Sequence, residues 1–357
     1  MKYSVIPAGE LSPDLIARWA EIQEADQALA SPYFRPEFTQ AVAEVREDLF
    51  VGLMEAENRV VGFFPFHRRW GGVARPVGLG LSDYHGVIAE PEADWTAEGL
   101  MRGCRLVRWE FDHLLSGQAQ WQTYRQNLEP SPTIDTSQKY EHYEAIRRKL
   151  GGKQLYETNR RIRKLAREHE PHRFVFHTDD AAAFEAMIAW KRLQCQRTGV
   201  HDYFGLGWTV ELVRRINAHD SIHFGGVLSA LYVGDKLAAV HFGMRTKTVL
   251  HSWFPGYDDE FHQYSPGLIL LVEMIRHACD GDISYIDLGK DVLPYKEKFM
   301  TGAIQVAEGC AELPSAVNNL YALRRRAERW SRQSALLPIL RIPGRFIKRL
   351  ERKGRYE

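Results

Sequence analysis

Between Ile222 and Gly302 the chain changes periodicity in an order that few folds accommodate. IHFGGVLSALYV (Ile222 to Val233) meets KLAAVHFGMR across Gly234-Asp235. A Gly-Asp pair between two β-rich runs predicts a hairpin. TVLHSWF, from Thr248 to Phe254, adds a third strand. The loop HQYSPG then opens an apolar helix over Leu268 to Cys279, which feeds the strand ISYIDLG, the short helix PYKEKF and a last strand near Ala303 to Cys310. Strands of this kind, interrupted by one apolar helix, predict a mixed, largely antiparallel sheet with helices against it.

The preceding chain reads the same way. A helix is expected over Leu11 to Ala30, with Ser12 as its cap and Pro13 at its first position, and a second over Pro36 to Val45. LFVGLME from Leu49 and VVGFFPFH from Val60 read as strands about a turn at Glu57-Asn58. LSDYHGVIA follows, then a helix near Thr96 to Val107 and further short strands. EPSPTIDTS from Glu129 reads as a loop and a domain boundary. Beyond it come helices over Glu141 to Leu150 and Gln154 to Glu170, the strand HRFVFH, and helices around Ala181 to Arg197 and Thr209 to His219. Helices, hairpin strands, a helix and a strand thus occur twice, as a duplicated domain would give. The expected organisation is residues 1–140, residues 141–314 and a basic tail over 315–357.

Composition removes several classes. With 45% hydrophobic and 26% charged residues the chain is neither disordered nor fibrous. The apolar runs YSPGLILLV and SALLPIL fall short of the ~20 residues that cross a bilayer. The start carries no secretory pattern. Four well-separated cysteines predict neither a disulfide framework nor a cysteine metal site, so a reducing cytoplasm is expected. The net charge of +1 conceals a segregation: residues 321–357 hold 12 Lys and Arg against 3 acidic residues, a net of +9, and leave −8 on the rest.

The step from HQYSPG into the apolar helix is where an anion would bind. Helix-start amides and the helix dipole favour phosphate, Gly267 admits close approach, and Ser265 can cap or donate. A plain capped helix with Pro266 at its first position explains the same letters. HSWFPGYDDEFHQYSPGLILLVEMI followed by YIDLGKDVLPYKEKF resembles the GNAT-superfamily acyltransferases, and more closely the CelD-type branch associated with cellulose and exopolysaccharide clusters, related to the FemAB aminoacyltransferases. YETNRRIRKLAREHE, WKRLQCQRTGVHDYF and LSDYHG extend the resemblance. It implies an α/β (α+β) fold of tandem GNAT-like domains, the first on the acceptor side, with acyl-coenzyme A, typically acetyl-CoA, as donor. Its pyrophosphate would lie on Tyr264, Ser265, Gly267 and Leu268, near Lys290 and Lys296. The usual Arg/Gln-x-x-Gly-x-Gly/Ala pattern is reduced to Gly267 in HQYSPGLI.

Acyl transfer from a thioester to an amine needs a polarised carbonyl, a base for the ammonium proton and an acid for the departing thiolate. His241, mid-strand in AAVHFG, and Asp287 are the candidate bases; a core histidine satisfied by backbone and a turn-holding aspartate are the alternatives. Tyr295 in PYKEKF is the candidate acid, or an ordinary packed tyrosine. Lys290 and Lys296 suit phosphate, or else solvent. Asp83, Tyr84 and His85, with Tyr257, are candidates for holding an acceptor, which the resemblance implies is an amino sugar; of the first three, at most Asp83 and His85 share a face. The 14 histidines show no metal spacing, and no nucleophile elbow or Walker loop is present, so no metal is expected. The basic helix from Gln154 allows an aminoacyl-tRNA donor instead. In the tail, apolar residues mixed with Arg and Lys suit an anionic membrane. Arg325/Arg329 and Arg341/Arg345 have a spacing that would also fit cyclic-di-GMP in a non-catalytic sensor or scaffold. An extension packed on the acidic body explains the same composition.

Overall fold

The computed structural model describes residues 1–323. In chain order the elements are β1 (Lys2–Pro7), α1 (Pro13–Ala25), α2 (Pro36–Ala43), β2 (Leu49–Ala56), β3 (Arg59–Arg69) and β4 (Val73–Arg75). Then come β5 (Ile88–Ala89), α3 (Ala97–Gly103), β6 (Arg108–Leu115), β7 (Arg125–Asp135), α4 (Tyr140–Lys149), α5 (Lys153–Glu168) and β8 (His172–Val175). They are followed by α6 (Ala181–Thr198), α7 (Gly207–Asn217), β9 (Gly225–Val233), β10 (Lys236–Arg245) and β11 (Val249–Tyr257). The last are α8 (Pro266–Asp280), β12 (Tyr285–Asp287), α9 (Pro294–Phe299) and β13 (Gly302–Glu312).

The chain forms two compact units that are not simple halves. The first takes Met1–Gln27, Val42–Leu128 and the chain from Ala307; the second takes Ala28–Ala41 and Glu129–Val306. Contacts thus assign a short early segment to the second unit and return the end of β13 to the first, a division that differs from consecutive blocks of 1–140 and 141–314. Of the expected tail, residues 316–323 are helical, and residues 324–357 lie outside the described residues.

In the first unit the strands run in the order β1-β2-β3-β4-β6, with β5 on β3. β4 and β6 are parallel; β1-β2, β2-β3 and β3-β4 are antiparallel. Its core joins Phe64, Phe66, Trp109 and Trp121 to the buried side of α3. In the second unit the order is β7-β12-β11-β10-β9-β8. Only β11 and β12 are parallel there. The core centres on α8, whose Ile269, Leu270, Val272, Met274 and Ile275 are buried against the sheet.

Local chemistry accounts for most boundaries. Ser12 accepts the amide of Leu15 (3.3 Å) and starts α1 at Pro13; Thr96 does the same for α3 through Gly99 (3.0 Å). Gly234 turns β9 into β10 at φ +56°. EPSPTIDTS is a correction: Glu129 to Asp135 is strand, not loop. Pro130 and Pro132 supply no amide, but Pro132 still accepts from Leu288 N (2.9 Å), so the ladder to β12 survives.

Candidate active site

The second unit has a fork in its sheet. β11 and β12 pair over three positions, the last being His251 opposite Asp287. β12 ends there while β11 runs on to Tyr257, so the two parallel strands part at this pair. On its other edge β11 carries a bulge: Phe242 faces Phe254 and Gly243 faces Ser252, leaving Trp253 as the extra residue. A short parallel ladder and an adjacent bulge are what open the strands.

A buried polar string lies at the fork. Asp287 is fully buried, and its Oδ1 accepts from Ser131 Oγ (3.1 Å) and Gly289 N (2.9 Å). Its Oδ2 lies 3.5 Å from Nδ1 of the equally buried His251. Nε2 of His251 is 3.1 Å from the hydroxyl of Tyr33, which arrives with the Ala28–Ala41 segment. Neighbouring Thr246 anchors that segment by donating to Ala30 O (3.0 Å). Carboxylate, imidazole and phenol in this sequence are the parts of a proton path. Asp287 holds the Gly289 turn, the alternative to its reading as a base, and faces His251. Being enclosed, its carboxylate faces only these protein groups.

His241 lies beside this string on β10. It is 2% exposed, and neither ring nitrogen has a hydrogen-bond partner among the described residues. A core histidine satisfied by backbone is therefore not what the sequence built. Burial, with the charges of His251 and Lys191 nearby, pushes its pKa down to about 3, so it is neutral at physiological pH. Such a ring offers a lone pair and an N–H but holds a proton poorly. An unpartnered buried imidazole is more often found where a ligand or water completes it.

The start of α8 is met by a second helix, α5. Ser265 has φ +56° and precedes Pro266, and its Oγ accepts from Arg161 Nη1 of α5 at 2.7 Å. α5 buries Leu155, Thr158 and Leu165, which sets Arg161 toward the α8 start, while Arg160, Arg163 and Arg167 are exposed. Gly267 is open: a Cβ there would meet only the ring of Tyr257, at 3.6 Å. Ser265, Gly267 and Tyr257 are thus brought together, with half-buried Leu268 beside them.

Other candidates are placed differently. Tyr264 is buried, and its hydroxyl donates to Glu168 Oε2 (2.7 Å) with His169 Nε2 at 3.1 Å, so it fastens α5 to the turn rather than facing a ligand. Lys296 is buried too, contrary to a solvated or phosphate-facing lysine. Its ammonium donates to the carbonyls of Gly289 (2.9 Å) and Lys290 (2.7 Å). Lys290 is half-buried in the same loop. Tyr295 packs on the core of the second unit, and burial raises its pKa, which keeps the phenol protonated.

Asp83, Tyr84 and His85 belong to the first unit. Tyr84 and His85 are buried and Asp83 is half-buried. Arg325, Arg329, Arg341 and Arg345 lie outside the described residues. Sequence reasoning missed Tyr33, Ser131, His251, Lys191 and Arg161. Only Arg161 had a signal, as one of several arginines in the basic helix.

Residues 152–297 match the family model described as an acetyltransferase (GNAT) domain. The fork, the bulge and α8 all lie within the matched segment. Two solved structures share the fold over most of the chain. FemX aligns at TM-score 0.55 and 8% identity over 90% of this chain and 99% of its own. L-PGS from Bacillus licheniformis aligns at 0.51 and 9%, over 88% and 97%. A tandem GNAT protein from the clavulanic acid biosynthesis pathway aligns at 0.45 and 11%, over 88% and 100%. At such identities the likeness to FemX and L-PGS is one of fold. No curated protein sequence matches the chain.

Proposed function

We propose that the chain is an acyl-CoA-dependent N-acyltransferase of the CelD-type branch, moving acetyl onto the amine of an amino sugar in exopolysaccharide assembly. The observation that carries the donor half is the α8 start, where Arg161, Ser265 and an open Gly267 converge on one helix N-terminus. A guanidinium and a helix dipole together suit the coenzyme's diphosphate. The acceptor half rests on the family resemblance. No helix among the described residues is long and apolar enough to cross a membrane. On this reading the basic tail holds the enzyme at an anionic inner-membrane surface beside the glycan machinery.

The amine attacks the thioester carbonyl carbon, the oxygen takes negative charge, and the carbon–sulfur bond then breaks. The ammonium proton leaves by way of Tyr33 and His251, with Asp287 orienting the imidazole and stabilising its charge. His241 stays neutral and hydrogen-bonds to the reacting groups. Tyr295, protonated, gives its proton to the departing thiolate.

Calorimetric titration with coenzyme A tests the donor site. Arg161→Gln should weaken binding ten- to a hundredfold, the worth of one charge-assisted hydrogen bond of about 1.5–3 kcal/mol. Gly267→Trp should abolish it. Tyr33→Phe should lower kcat more than tenfold with KM little changed. Absence of coenzyme A binding by the wild type, or activity that needs aminoacyl-tRNA and is destroyed by ribonuclease, would sink the proposal.

A further inference from the structure

A second polar cluster lies wholly within the first unit. His85 enters from the LSDYHG segment, and Asp112 and His113 from β6; the backbone of His85 bridges to this strand, accepting from Leu115 N and donating to His113 O (2.9 Å each). One ligand atom from each of the three side chains lies within 4.8 Å of the others.

The hydrogen-bond partners fix how the rings present themselves. Nε2 of His85 is 3.2 Å from the carbonyl of Ser82, which can only accept, so Nε2 carries the proton and Nδ1 the lone pair. That lone pair accepts from the amide of His113 at 3.4 Å, and Asp112 Oδ1 lies 3.7 Å from the same nitrogen. Nε2 of His113 is 3.4 Å from Asp83 Oδ1, and its Nδ1 is 3.0 Å from the same Asp112 oxygen. Two imidazole nitrogens therefore converge on one carboxylate oxygen. Their outer nitrogens are steered by a carbonyl and a second carboxylate, the arrangement that orients metal-bound histidines. The His85 side chain is 1% exposed, so Nδ1, which holds a long hydrogen bond from His113 N, sits beside an anionic oxygen where little water reaches. Asp112 is 37% exposed and lines a pocket of about 330 Å³ with Arg75, Arg108, Glu110 and Gln126, which gives an ion a way in.

We propose that His85, Asp112 and His113 bind one divalent first-row transition ion, with Ser82 and Asp83 as supporting hydrogen-bond partners. Two imidazoles and a carboxylate suit Zn²⁺ and its neighbours rather than Mg²⁺ or Ca²⁺, which prefer oxygen. Two ligands about 2.1 Å from a shared ion at the tetrahedral angle lie about 3.4 Å apart, between the 3.0 and 3.7 Å found here.

The test is titration of the chelator-treated full chain with ZnCl₂ by calorimetry, with MgCl₂ as a comparison. One Zn²⁺ per chain is expected, and no comparable Mg²⁺ binding. Asp112→Asn and His113→Gln should each weaken Zn²⁺ at least tenfold, Asp83→Asn less, and the exposed His262→Gln not at all. His113→Gln and Asp112→Asn alter partly exposed side chains, so circular dichroism should show both folded; were either unfolded, the other carries the test. Lack of Zn²⁺ binding overturns the site, as does affinity unchanged in the folded variants or lost equally in His262→Gln.

Discussion

At the scale of single residues, Gly243 and Gly267 are opposite kinds of glycine. A Cβ on Gly243 would lie 2.3 Å from the carbonyl oxygen of His251 and 2.7 Å from Cε1 of His241. The carbonyl cannot move without breaking the β10–β11 ladder, so Gly243→Ala should cost about 1–3 kcal/mol, the usual penalty for overfilling a packed site. Denaturant unfolding should show a lower midpoint, and activity should fall further than stability because both contacted histidines belong to the site. An unchanged midpoint would mean the strands can part there freely. Gly267, by contrast, has room for a methyl group, so a small side chain should leave the fold intact. The letters alone marked Gly267 and His241. They did not mark Gly243 or Tyr33, because a glycine's neighbours and a tyrosine's partner 218 residues away belong to tertiary structure.

At the scale of elements, the loop from β12 to α9 is closed from within. Lys296 reaches back from α9 to the carbonyls of Gly289 and Lys290. Gly289 and Asp291 both hold positive φ, at 73° and 74°. Replacing Lys296 with Met removes two charge-assisted bonds and leaves carbonyls buried without them. The expected loss is about 1.5–3 kcal/mol in unfolding free energy, with hydrogen exchange rising first at residues 288–293. Exchange that rises evenly across the second unit would contradict a local clamp. PYKEKF was legible as a helix, and its Lys as a cation. Which way the cation points depends on a turn whose backbone no periodicity encodes. Similarly, α5 reads as a basic helix, yet only packing separates Arg161, on the α8 start, from Arg160 and Arg163 in solvent.

At the scale of the whole molecule, buried neutral histidines set the response to acid. Burial pushes both His85, in the first unit, and His241, in the second, down to about 3. His67 is lowered by burial as well. The folded chain leaves these rings neutral, whereas the unfolded chain protonates them near pH 6.5. Stability is therefore complete above about 6.5 and falls as pH drops toward the folded values, by about 1.4 kcal/mol per pH unit for each such ring. Burial would raise Asp48, but hydrogen bonds from His67 and Arg46 outweigh it and hold it below the usual carboxylate range. Its contribution is lost only below about pH 4. Denaturant midpoints should thus fall between pH 7 and pH 5, and His241→Gln should flatten that slope. Equal midpoints at the two pH values would show that these rings gain protons in place.

Most helices and strands, though not β1 or β7, the Gly234 hairpin, the cap at Ser12 and the apolar helix with Pro266 at its first position were legible in the sequence. Each follows from chemistry within a few residues: a side-chain oxygen near a free amide, a positive φ, or a repeat of 2 or 3.6. Tertiary structure alone decided that Ala28–Ala41 joins the second unit, that β7 stays a strand through two prolines, and that His251 meets Asp287 where β11 and β12 separate. It likewise set His85 against Asp112 and His113. Such meetings arise when distant segments bury their apolar faces together, and the polar groups carried along must find partners wherever that packing leaves them.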